Sequence, residues 1–210
     1  MKWIKIFEDF QSIEKWKIDK ICRNYAITNC TVNSDGTVDV DDDVNLAYLA
    51  YEENKLPLTF GRVTDSFWCH NSNLTSLVGA PKFVGKTFQC SENELTSLEG
   101  GPQEVNNFYC NHTNITSLKG SPLIVKNDFF AMWNTRLISF EGFPNIGGNF
   151  NCNGCPIENI WKLFKDPTKI ELFNEYDIIR GNDLILDRLN DFLITIGEEP
   201  VESVNGYNNI

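Results

Sequence analysis

The chain has 210 residues, 41% of them hydrophobic, which is enough for one globular domain of ordinary size. Its formal net charge is −11 and its pI about 4.6. Such an acidic balance disfavours the phosphate backbone of nucleic acid, and no apolar run is long enough to span a membrane.

Met1 to Phe7 runs straight into Glu8 and Asp9, leaving no apolar stretch of leader length, so a cytoplasmic protein is expected. Phe10, Ile13, Trp16, Ile18, Ile21, Cys22 and Tyr25 are spaced as one face of an amphipathic helix. Asn33-Ser34-Asp35-Gly36 is a turn signal, and Thr37 to Val40 alternates as a short strand. Asp41-Asp42-Asp43 lacks the spaced oxygens of a calcium loop and is expected to be a solvated turn. Val44 and Leu46 open a degenerate first repeat that closes through Leu56, Pro57 and Val63.

From Phe67 the chain repeats itself at a period of about twenty-one residues. The clear copies run Phe67–Pro81, Phe88–Pro102, Phe108–Pro122 and Phe129–Pro144, and a fifth starts at Phe150. The repeating unit reads Phe-x-Cys, a short polar run, Leu-Thr-Ser-Leu or a relative of it, Gly and Pro; the fourth copy has Ala131 for Cys, and the fifth lacks the closing Gly and Pro. The Cys column is Cys69, Cys90, Cys110, Ala131 and Cys152. In the fourth copy Leu137 comes one residue late, which predicts a local bulge. After the repeats, Ile160 to Phe164 is expected to form a short helix, and Asp166-Pro167 starts another. Leu184 to Ile196 presents a helical apolar face closed by Gly197, and the polar tail from Glu198 is expected to be mobile.

A short period of this kind points to a solenoid in which neighbours bury one another. The unit matches the leucine-rich repeat, with Phe and Cys in place of the strand leucines. The expected fold is therefore an α/β leucine-rich-repeat solenoid of about five to six short repeats. It forms one domain over 1–210, with a helical N-terminal cap (1–43), repeats (44–164) and a helical C-terminal cap (165–210). The register places Ser72, Asn93, Thr113, Asn134 and Cys155 where the repeat has its asparagine. All five can hydrogen-bond to backbone left open by the turn.

The segments Cys90–Gly100, Asn33–Val40, Leu163–Pro167 and Leu186–Leu193 together resemble small leucine-rich-repeat proteins encoded by large tailed bacteriophages. The resemblance covers nearly the whole chain. It implies a phage protein acting in the cytoplasm of an infected bacterium, with host defence or takeover machinery as the class of target.

Seven cysteines, four of them in one inward column, fit small buried hydrophobes better than a disulfide framework. Cys152-Asn153-Gly154-Cys155 has half of a zinc-site spacing but no second pair, and both cysteines fall on repeat positions. No phosphate loop, nucleophile elbow or metalloprotease motif is present, so no catalytic residue, metal or cofactor is expected. Strand alternation instead sends Trp68, Gln89, Tyr109 and Phe130 to one outward face, followed by His70, Asn111 and Met132, then His112 and Trp133. Large aromatic residues in such rows point to a recognition surface, and these nine residues are the candidate partner-binding site. The expected function is a non-enzymatic module that binds a host protein through this face, without membrane or direct nucleic-acid contact. A homo-oligomer that covers the face remains open. The alternatives are a sponge for a nucleotide immune signal and an acidic mimic of nucleic acid.

Overall fold

The computed structural model describes residues 15–49 and 52–210. Helix α1 covers 15–24; the part of the expected helix from Phe10 to Glu14 lies outside the described residues. The hairpin of β1 (Cys30–Val32) and β2 (Val38–Val40) turns at Asn33 to Gly36, as the turn signal predicts. Short strands follow: β3 (Val44–Asn45), β4 (Phe60–Val63), β5 (Phe67–Trp68), β6 (Phe83–Gln89) and β7 (Glu104–Tyr109). Next come β8 (Ile124–Val125), β9 (Phe129–Phe130), β10 (Asn145–Ile146) and β11 (Phe150–Asn151).

These strands form one sheet by two parallel ladders. The first runs β3, β5, β6, β7, β9, β11, with the row Val44, Phe67, Phe88, Phe108, Phe129, Phe150. The second runs β2, β4, β6, β7, β8, β10, with Val40, Val63, Val84, Val105, Val125 and Ile146 in line. Strands β6 and β7 are long enough to belong to both.

This arrangement corrects the expected leucine-rich-repeat solenoid with helical caps. The protein is a mixed α/β fold on an 11-stranded, mostly parallel sheet, with four short α-helices among the described residues. A leucine-rich repeat returns from its strand through a helix or 3₁₀ turn. Here residues 55–157 contain no helix, and the return segment is itself extended and paired. The buried prolines at 81, 102, 122 and 144 supply the reason. Each fixes its own φ and drives the residue before it out of the helical region. The β-branched residue two or three positions later then pairs with its counterparts. The ends are not purely helical either. The β1–β2 hairpin continues the sheet, and a second sheet of three strands sits among the C-terminal helices.

Strand β6 holds one residue more than β7 between Val84 and Thr87. Gly85 occupies this bulge, and a Cβ there would lie 1.9 Å from the Thr64 carbonyl oxygen. The late Leu137 is absorbed by a turn, its N–H donating to the Asn134 carbonyl at 3.0 Å. Register is then restored because Asn145 follows Pro144 directly, so that Asn145 still pairs with Ile124 and Phe150 with Phe129.

The core is a file of rings. Phe67 on Phe88 and Phe88 on Phe108 stack at 5.4 and 5.5 Å, and Phe108, Phe129 and Phe150 continue edge to face at 5.3 and 5.4 Å. Cys69, Cys90, Cys110, Ala131 and Cys152 form a buried file beside it. The polar column holds the turns. Asn134 Oδ1 accepts from the Thr113 N–H at 2.6 Å and its Nδ2 donates to the carbonyls of Cys110 and Ala131. Asn93 does the same two copies earlier, and Cys155 Sγ donates to the Ala131 carbonyl at 3.0 Å.

The file ends on a cluster of aromatic rings. Trp161 and Phe164 from α2 (Glu158–Phe164) and Phe173 from α3 (Ile170–Glu175) pack around Phe140, and Phe192 from α4 (Leu186–Ile196) packs on Phe164 and Phe173. The tail is tied down, contrary to expectation. Strand β14 (Asn208–Asn209) pairs with β13 (Asp183–Leu184), which in turn pairs with β12 (Ile179–Arg180); Val204 is buried, and the Tyr207 hydroxyl donates to the Ile138 carbonyl at 2.8 Å.

Candidate functional site

The first ladder places Trp68, Gln89, Tyr109 and Phe130 in one register row across four strands. Their inward neighbours Phe67, Phe88, Phe108 and Phe129 are fully buried, so alternation sends the row to the opposite face. Tyr109 and Phe130 stack at 5.1 Å with their planes 19° apart. All four are half-buried, as are His70, Asn111 and Met132; only His112 and Trp133 are exposed.

The polar members are tied into the frame. Gln89 Oε1 accepts from the Ser91 hydroxyl at 2.9 Å, Ser91 Oγ accepts from the Asn111 N–H at 2.8 Å, and Asn111 Oδ1 accepts from the Met132 N–H at 2.8 Å. Their side chains thus shape the face before they contact anything else. His70 lies under Tyr48, ring centroids 5.0 Å apart, and its Nδ1 is buried without a hydrogen-bond partner.

The last two candidates belong to the column just beyond the strand, whose backbone the sequence reading did not foresee. Tyr48, Asn71, Glu92, His112, Trp133 and Gly154 all have left-handed backbone, with φ between 50° and 78°. Asparagine and glycine suit that region; a tyrosine or tryptophan there is strained by about 1–2 kcal/mol. The column turns the chain out of the strand and carries its side chains beyond the rim. Trp133, 54% exposed, lies between the His112 ring, 6.2 Å away and nearly parallel, and Gly154. A Cβ on Gly154 would come within 2.3 Å of the indole. Trp133 therefore rests between two neighbours of its own column while more than half of its surface meets solvent. Tyr48, 73% exposed, extends the same rim and was missed, because its copy is the degenerate one.

At the far end of the face a cleft of about 480 Å³ opens between β11 and α2, its lining including Phe130, Asn151, Glu158, Trp161, Lys162 and Lys165. The chain matches no family model, no curated protein and no solved structure.

Two other groups bear on metal chemistry. Cys152 and Cys155 are both buried, and the Cys155 thiol is spent on the Ala131 carbonyl, so the pair acts as core and turn support. The carboxylates of Asp42, Asp43 and Asp65 lie within 4.8 Å of one another. Lys86 pairs with Asp65 at 2.9 Å, and Asp43 Oδ1 accepts the Ser66 N–H, which makes this a braced turn with its own cation. Among the described residues no helix is long and apolar enough to cross a membrane.

Proposed function

We propose that the protein is a protein-binding module whose partner docks on the outward face of the first ladder. The observation that carries this reading is the in-register row Trp68, Gln89, Tyr109, Phe130, with its stacked Tyr109–Phe130 pair. Rings held by a sheet lose little conformational entropy on binding, and half-burial leaves each a surface still to be covered. The polar residues between them satisfy their neighbours, so the partner desolvates few unpaired groups. If the chain comes from a phage, as its resemblance implies, the partner is a bacterial host protein.

The test is capture from bacterial lysate by the wild type, by a Trp68→Ala/Tyr109→Ala variant, and by a Lys82→Ala/Lys126→Ala control. One protein should be retained at high salt by the wild type and the control. The aromatic variant should lose it with a drop of about 2 kcal/mol or more, a factor of roughly thirty, while its melting temperature stays near that of the wild type. Equal capture by all three would overturn the docking face.

A further inference from the structure

The first ladder has a direction, and its last strand leaves donors over. In each copy the N–H groups of the inward Phe, the inward small residue and the left-handed residue donate to carbonyls of the next copy. Phe108, Cys110 and His112 donate to Asp128, Phe130 and Met132 at 2.9–3.0 Å. Phe129, Ala131 and Trp133 donate to Asn149, Asn151 and Asn153 at 2.8 Å. The corresponding donors of the last copy are Phe150, Cys152 and Gly154. Glu158 from α2 takes the Gly154 N–H at 2.8 Å. No acceptor among the described residues meets the N–H of Phe150 or Cys152.

These two donors lie two residues apart along the unpaired edge of β11, facing the cleft shared with α2, in residues only 8% and 1% exposed. Unpaired ladder groups beside a helix form a template for one more strand. The chemistry of the cleft is cationic although the molecule is acidic. Lys162 holds Glu158 at 2.7 Å, and Lys165, the left-handed residue that ends α2, has no ion pair among the described residues. Glu158 lines the same cleft and offsets Lys162, so the excess positive charge is that of Lys165; at physiological salt charges beyond about 8 Å are largely screened, so carboxylates farther off do not cancel it.

We infer that the β11 edge takes an extended acidic peptide segment of a partner protein, added as a further parallel strand between β11 and α2. The inference rests on the protein-binding reading only in making the occupant a protein segment. Two peptide carbonyls accept from Phe150 and Cys152, one peptide N–H returns to the Phe150 carbonyl, and an acidic side chain meets Lys165. A segment of about four residues, at roughly 3.3 Å per residue, spans these contacts. A second copy presenting the same edge would set lysine against lysine, which disfavours self-pairing.

The test is titration of the full-length, ¹⁵N-labelled protein with a synthetic peptide of alternating Glu and Val, about eight residues long. The amides of Phe150 and Cys152 should shift and become protected from exchange. A Lys–Val peptide of the same length should not bind. Methylation of the peptide nitrogens in one alternate set, and not in the other, should weaken binding by roughly tenfold. Lys165→Asn, which suits the left-handed backbone, should weaken it by about threefold. A Trp68→Ala variant, altered four strands away from β11 along the ladder, should bind the peptide as the wild type does, so a failure of the sheet face and a failure of this edge are read separately. Absence of protection at the two amides would overturn the inference. So would equal shifts with inorganic phosphate, which would make the cleft a small-anion site. Protection that grows with protein concentration and no peptide would give the edge to a second copy.

Discussion

A single buried side chain in this fold often serves two copies at once. Asn134 is fully buried and makes four hydrogen bonds, three of which join the third copy to the fourth. Asn134→Ala strands backbone groups in the core and is expected to cost about 3 kcal/mol in urea denaturation. Cys155→Asn should fold with equal or greater stability, because an amide at that position replaces a weak thiol donor. The cysteine file makes a second residue-scale prediction. Burial pushes the thiols of Cys69, Cys90, Cys110 and Cys152 far above their usual range. Folded, they stay protonated; unfolded, they ionise near pH 8.5. The unfolded state then binds fewer protons, so stability is intact below about pH 8.5 and falls as pH rises above it. By pH 10 each thiol removes about 2 kcal/mol and the four together about 8, comparable with a typical total stability. Urea midpoints between pH 7 and pH 10 should show this steep loss, to which the raised thiols of Cys22 and Cys155 add, and Cys110→Ala should soften it by about a sixth. A flat profile would mean that these thiols meet water.

Elements here are short, and most strands have no more than four residues, so pairing with neighbours sustains them. The C-terminal elements close the file of rings. Helix α4 brings Phe192 against Phe164 and Phe173, both at edge-to-face distances of 5.3–5.4 Å. Gly197 ends it with left-handed backbone, its N–H donating to the carbonyls of Leu193 and Ile194. The segment that follows returns to the structure through β14, Val204 and Tyr207. Deletion of residues 198–210 should therefore lower stability by about 2 kcal/mol or more, read as a drop in melting temperature. An unchanged melting temperature would show that the tail contributes nothing.

Charge acts on the molecule as a whole. Its 29 acidic and 18 basic side chains leave −11, and the ion pairs among the described residues are surface pairs of small individual worth. Self-repulsion of the compact state is the larger effect, and salt relieves it. Raising sodium chloride from about 10 mM to about 200 mM should raise the melting temperature by a few degrees. A fall on adding salt would mean that attractive pairs dominate. The sheet face and the β11 cleft sit on this acidic body with different chemistry: one is aromatic and neutral, the other carries two lysines.

Sequence alone determined whatever is periodic or local. The twenty-one-residue spacing identified the Phe and Cys files, the polar column under the turns, the outward row of Trp68, Tyr109 and Phe130, and the α4 face closed by Gly197. Each follows from alternation, capping or a repeated need for one hydrogen bond. The second ladder was also present in the sequence, as Val63, Val84, Val105, Val125 and Ile146. Three of the five stand between polar or glycine neighbours and the other two follow only Phe83 and Ile124, however, and so short an apolar stretch is a strand only when its counterparts stack beside it. That is why the helical return of a leucine-rich repeat was expected where extended chain is found. The left-handed column, the enclosure of Trp133 and the open donors of Phe150 and Cys152 likewise depend on what lies one copy away. Tertiary structure decided them because hydrogen bonds across copies and contacts between rings join residues about twenty positions apart, beyond the reach of any local propensity.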